Sequence, residues 1–193
     1  RALVPELDIT LVDTRTLSGE MALQVLVAAE MAEQGRTIPE IREVIEAVNG
    51  SSHLYFTLDK LDYLRKGGRI GRVSAAVGGL LGIRPIVTVD KSTGTYVAAG
   101  KARSFRRAVE TIAHRIVEDV GEGGQVSLVV LEGHCPDQVA HLVSLLRSRL
   151  EVVWFHHLHV NPSLGAHVGP DAIGVAYFPG ELPFVGRDAA AAD

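Results

Sequence analysis

One cysteine in 193 residues, Cys135, leaves no partner inside the chain, so no intramolecular disulfide holds the fold. The expected setting is a reducing one, with the thiol serving as a small apolar filler. No apolar run approaches the roughly 18 residues that a membrane span requires, and no stretch has the layout of a signal peptide. A cytoplasmic protein without stable membrane insertion is the expectation. Positive charge is not in excess either. Nineteen lysines and arginines stand against 23 aspartates and glutamates, a formal net charge of -4, so there is no electrostatic reason to expect nucleic acid. Walker loops, dinucleotide fingerprints and Gly-x-Ser-x-Gly elbows are missing as well. What is there, 47% hydrophobic and 22% charged residues, is globular composition, enough for one good core or for one domain plus part of another.

The early part of the chain predicts one strand and two helices. "LDITLVD" (Leu7 to Asp13) alternates as a strand does. "SGEMALQVLVAAEMAEQG" is a helix apolar around most of its circumference and stopped by Gly35. A capping box, Thr37 to Glu40, opens a second helix with Ile41, Val44, Ile45 and Val48 on one face. These three elements cannot cover both faces of a sheet, and the chain starts at Arg1, so more of this unit is expected upstream.

From His53 the pattern becomes self-sufficient. "HLYFTL" is a strand, "DKLDYLRK" a short helix stopped by Gly67, and "VSAAVGGLL" a second short helix of small residues. "RPIVTV" and "TYVAAGK" flank the polar turn Asp90 to Gly94 and predict a hairpin. A helix is predicted from about Phe105 to Val120, capped by Ser104, with Val109, Ile112 and Ile116 on one side. "QVSLVVLEG" is a strand, Pro136 opens a helix, and "VVWFHHLHV" and "DAIGVAYF" are strands. About five strands alternate with four helices, which is α/β composition. The tail after Pro179 is expected to fray.

Three places join glycine to a group able to bind an anion. In "KGGRIG" the glycines free the backbone to turn while Arg69 offers a forked donor for a carboxylate or phosphate. A helix C-cap followed by a surface arginine explains the same residues. In "AAGKARSFRR", Arg103 stands at the end of a strand beside a helix N-terminus, where negative charge is attracted. A solvated basic rim is the alternative, and Arg106 and Arg107 are assigned to it. In "SLGAHVGPDAIG", glycines and Pro170 surround His167, which predicts a tightly turned loop with the histidine facing a ligand. His156, His157 and His159 share a strand, but its period of two leaves only His157 and His159 on one face, so no metal site is expected. No nucleophile stands beside His167 in sequence.

Taken in order, "LVDTRTLSGEMALQVLVAAEMAEQG", "LDYLRKGGRIGRVSAAVGGLLGIRPIVTV", "KARSFRRAV" and "GAHVGPDAIGV" resemble the DegV family of bacterial fatty-acid-binding proteins, from about Leu11 to Tyr177. The succession Leu-x-Tyr-Leu-x-x-Gly-Gly-Arg-Ile, then Arg-Pro, then His-x-Gly-Pro carries the resemblance. It implies the two-domain α/β (EDD) fold of that family. Residues 1–50 would be the end of the N-terminal α/β domain, 51–180 a complete C-terminal α/β domain with a mixed sheet, and 181–193 a tail.

The resemblance also implies a function: one long-chain fatty acid, its acyl chain in an apolar tunnel and its carboxylate in a polar pocket. Such a protein has no cofactor and no catalysis of its own. It presents the lipid to a separate ATP-dependent fatty acid kinase catalytic subunit and holds the acyl phosphate. By position Arg69, Arg103 and His167 are the head-group residues, and Ala76, Gly78, Gly79 and Leu80 would line the tunnel. A tight helix contact explains those small residues equally well. Burying about 16 carbons contributes on the order of 12 kcal/mol before ordering costs, so the tail should dominate affinity and the head group selectivity.

Two departures stand out. The family's hydroxyl-bearing N-terminal motifs lie upstream of this sequence, and "VDT" and "SGEMA" replace the family's "VDS" and "S-x-G-x-G", which leaves the roles of Thr14 and Ser18 open. Two other functions compete with the carrier: an acyl-phosphate hydrolase with His167 as base, and a protein-interaction domain whose lipid pocket is vestigial.

Overall fold

Strand-period alternation from His53 onward builds one sheet in the computed structural model, which describes residues 7–71, 73 and 82–186. Its strands are β1 (His53–Leu58), β2 (Arg84–Asp90), β3 (Thr95–Ala102), β4 (Gln125–Glu132), β5 (Glu151–His159) and β6 (Ala172–Pro179). They lie in the order β3-β2-β1-β6-β4-β5. β4 and β5 are parallel and the other neighbours antiparallel, so the fold is α/β with a mixed sheet of six strands. The helices are α1 (Ser18–Glu33), α2 (Ile38–Ser51), α3 (Asp62–Lys66), α4 (Phe105–Val120), α5 (Pro136–Arg147) and α6 (Pro162–Val168). Among the described residues no helix is long and apolar enough to cross a membrane.

Alternation along the strands feeds two cores, one on each face. On β4, Leu128 and Val130 join Val109, Ile112 and Ile116 of α4 and Leu142 and Leu146 of α5. Val129 and Leu131 point the other way and join Leu23, Val27 and Met31 of α1, Val48 of α2, and Leu54 and Phe56 of β1. The two N-terminal helices thus rest on this same sheet. Val73, from the stretch "VSAAVGGLL", is buried in that second core; the rest of the stretch lies outside the described residues.

Helix ends follow their caps. Gly35 ends α1 with φ +75°. Thr37 and Glu40 form the expected box, in which the Thr37 backbone N–H donates to Glu40 Oε2 at 2.8 Å and holds that carboxyl below its usual range. Ser104 caps α4 by accepting from the Arg107 backbone N–H at 3.2 Å.

Two expectations need correction. "LDITLVD" forms no strand: it does not join the described sheet and Leu11 is 91% exposed, so an alternating pattern alone does not make a strand here. The loop expected around His167 is the short helix α6. Asn161 caps it by accepting from the Leu164 backbone N–H at 2.9 Å, Pro162 occupies its first turn, and Gly169 ends it.

Candidate functional site

The glycines of "KGGRIG" close α3 in a Schellman arrangement. Gly68 takes φ +71°, its N–H donates to the Arg65 carbonyl at 3.1 Å, and the Arg69 N–H donates to the Leu64 carbonyl at 2.8 Å. The turn leaves the Arg69 side chain exposed. Its Nη1 donates to the Gly67 carbonyl at 2.7 Å, which leaves the rest of the guanidinium fork for a ligand. α3 then docks on α6 through two glycines. A side chain at Gly67 would collide with His167 Nδ1, and a Cβ at Gly169 would lie 2.5 Å from the Tyr63 ring. Two motifs about a hundred positions apart in sequence are therefore one structural unit. In it, His167 Nδ1 is buried without a hydrogen-bond partner among the described residues, and the half-buried ring borders a cavity.

Three cavities adjoin here, on the α1 side of the sheet. The largest, about 550 Å³, is bordered by Arg69, His159, Asn161, Ser163 and His167 together with Leu131, Leu158 and Leu164. A second, about 350 Å³, is bordered by Thr16, Gly68, Arg69 and Thr95. The third is an apolar pouch walled by Leu54, Phe56, Leu131, Val160, Leu164 and Val168, with room for about 30 Å³. Leu17 and Tyr96 border all three. Polar groups thus gather at the two larger cavities and apolar ones at the pouch.

Electrostatically the polar end is cationic through Arg69. Burial pushes the Tyr96 phenol above its usual value, and the Arg69 charge pulls the other way. Thr16 is committed elsewhere, since its hydroxyl donates to Glu20. Glu20, buried in the first turn of α1, also accepts from Ser52 Oγ at 3.2 Å and pairs with Lys91 Nζ at 2.6 Å.

The structure brings two of the three expected head-group residues together. Arg69 and His167 border the same cavity. Arg103 follows the far end of β3, exposed and bordering none of these cavities. At strand rise it lies about 23 Å from Tyr96 along the chain. Ala76, Gly78, Gly79 and Leu80 lie outside the described residues. Of the two positions left open, Ser18 borders the pouch and the largest cavity, while Thr14 offers its carbonyl to Asn49 Nδ2 at 3.1 Å. His157 and His159 do share a face, with rings 5.5 Å apart, and each approaches Oε1 of the buried Glu132, at 3.6 and 3.4 Å. Among the described residues no cluster of His, Cys, Asp or Glu has the arrangement to hold a metal ion. Sequence reasoning missed Leu17 and Tyr96, for which no local motif exists.

Comparison with known proteins bears on the family and the fold. The profile of the DegV family, described as uncharacterised proteins, matches residues 1–180. A DegV domain-containing protein of Deinococcus radiodurans is 43% identical over 176 residues, 91% of this chain and 61% of the relative. One from Clostridium acetobutylicum is 34% identical over 170 residues, 88% of this chain and 59% of the relative. The chain therefore spans about three fifths of the length of these curated relatives. Among solved structures, a DegV lipid-binding protein from Thermotoga maritima matches with a TM-score of 0.79 and 29% identity, over 97% of this chain and 64% of its own. A DegV protein from Thermus thermophilus, described by its fatty acid binding, matches with a TM-score of 0.80 and 28% identity, over 88% and 60%.

Proposed function

The chain belongs to the DegV family, and from that premise we propose that it binds a long-chain fatty acid, with the carboxylate between Arg69 and His167 and the acyl chain directed toward the apolar pouch. The observation that carries this is the meeting of Arg69 and His167 at one cavity whose apolar neighbour shares its walls. The fatty acid binding of the Thermus thermophilus relative supports the choice of ligand. A carboxylate leaving water needs charged, fixed partners, or its desolvation cancels the gain from burying the tail. Arg69 supplies a forked cation, and His167 a ring fixed by the α3–α6 contact. The site proposed here leaves out Arg103, which borders none of these cavities.

With Arg69 exposed, the carboxylate end faces solvent and the tail faces the sheet. That polarity suits a protein that presents the reactive end of its cargo. We therefore extend the proposal to a partner, a separate ATP-dependent fatty acid kinase catalytic subunit, as the family resemblance implies. The hydrolase alternative is less well served. A histidine base commonly has its second nitrogen oriented by an acid or carbonyl, and His167 Nδ1 faces Gly67 without such a partner among the described residues.

The test is equilibrium binding of palmitate and of hexadecanol, which lacks the carboxylate, to the delipidated chain. Arg69→Ala and His167→Ala should each weaken palmitate about tenfold, the scale of one charge-assisted hydrogen bond, and leave hexadecanol within about twofold. Equal losses for both ligands would sink the head-group assignment.

A further inference from the structure

The pouch is far too small for an acyl chain as it stands. Its room of about 30 Å³ is on the scale of one or two water molecules, beside a cavity of about 550 Å³. Two side chains border both spaces and the second polar cavity too: Leu17, at the entry to α1, and Tyr96, near the start of β3. Resting on the fatty-acid reading above, we infer that Leu17 and Tyr96 form a throat between the polar cavity and the pouch, and that this throat sets the length and width of acyl chain the protein accepts.

Both residues are half-buried at the ends of their elements and pack against the core on the α1 side. Tyr96 stands edge-on to Phe56, a wall of the pouch, with centroids 5.2 Å apart and planes at 68°. Turning or removing the Tyr96 ring uncovers that wall.

The two sides of the throat are also tied to each other. Leu17 lies between two non-glycine residues with left-handed backbone, Arg15 at φ 48° and Ser18 at φ 57°. Such backbone persists only where its surroundings hold it, and it gathers at functional sites. Two of the contacts that hold this segment reach the turn between β2 and β3, the hairpin that carries Tyr96. Arg15 Nη1 donates to the Ser92 carbonyl at 2.8 Å, and Glu20, which accepts from Thr16, pairs with Lys91 at 2.6 Å. The width of the gap between Leu17 and Tyr96 is thus fixed by contacts outside it, which is what a selective opening requires.

The experiment measures dissociation constants of straight-chain saturated acids from roughly 10 to 20 carbons for the 193-residue chain and its Tyr96→Ala, Leu17→Ala and Tyr96→Phe variants, with circular dichroism as a check of folding. In the unaltered chain each added methylene should raise affinity about fourfold until the tail meets the throat, where the gain levels off. Tyr96→Ala and Leu17→Ala should move that levelling about two methylenes longer, so that the longest acids gain about fifteenfold. Tyr96→Phe, which keeps the ring, should behave as the unaltered chain. The two alanine variants lie on different elements, so one that fails to fold leaves the other to decide. The same levelling length in the alanine variants as in the unaltered chain, or a uniform weakening of all acids, overturns the throat while leaving the fatty-acid reading in place. An unaltered chain that binds none of the acids overturns both.

Discussion

His167 takes its position beside two glycines, Gly67 beneath its ring and Gly169 after its helix, while its Nδ1 has no hydrogen-bond partner among the described residues. Gly169 adopts φ +82°, and a Cβ there would meet the Tyr63 ring at 2.5 Å. Gly169→Ala should therefore cost about 1–3 kcal/mol of stability, through backbone strain and overpacking together, and loosen the α3–α6 contact. Urea unfolding checks this; an unchanged midpoint would show that the two helices do not lock through this residue. Cys135 is a second residue-scale case. Its thiol donates to the Ala172 carbonyl at 3.4 Å, and burial pushes its pKa up to about 11. At pH 8 roughly one thiol in a thousand is then ionised, against about a quarter for a free cysteine. Alkylation by iodoacetamide, which follows the thiolate fraction, should run about two-hundredfold slower than for free cysteine, and labelling at the free rate would refute its half-buried placement. At this scale the candidates Arg69 and His167 stand out in the sequence because glycine beside a charged group is a local signal, and the cavity they share is what the proposed site rests on. Arg103 carries the same signal but borders none of the three cavities, a separation that sequence does not give. Leu17 and Tyr96 were hidden because an apolar residue at the end of an element reads as core.

Caps and periods made most elements legible. The helix predicted from about Phe105 to Val120 spans those residues, and the hairpin around Asp90 to Gly94 forms as expected. Alternation failed at Leu7 to Asp13 because it reports a face and not a partner, and α6 was masked by its glycines although Asn161 and Pro162 spell a helix start. The link between elements with no sequence signature at all is Glu20 with Lys91. Glu20 is 1% exposed in α1, and Lys91 reaches it from the β2–β3 turn while also donating to the Asn49 carbonyl and, at 2.6 Å, to that of Ser52. Lys91→Met should destabilise the fold by about 3 kcal/mol, because it strands a buried carboxylate. The double variant Glu20→Gln, Lys91→Met should regain most of that loss. Thermal unfolding of the pair decides it: a double variant no more stable than the single one would mean that the ion pair is not what joins these elements.

The sheet separates two cores, and the candidate site lies wholly on the side of α1 and α2. Gly19 makes that side accessible to close packing, since a Cβ there would press on Leu131 at 2.8 Å. The α/β class and the order of elements could be read from composition and period. Which helix covers which face could not, because pairing across a sheet depends on contacts far apart in sequence. The central claim concerns the assembled molecule: one fatty acid per chain, held at its carboxylate by Arg69 and His167. Native mass spectrometry of the chain after incubation with palmitate tests it most directly. The account predicts a single palmitate adduct, released on denaturation and lost in the Arg69→Ala, His167→Ala double variant. A chain that stays bare, or an adduct that survives unchanged in the double variant, would contradict it.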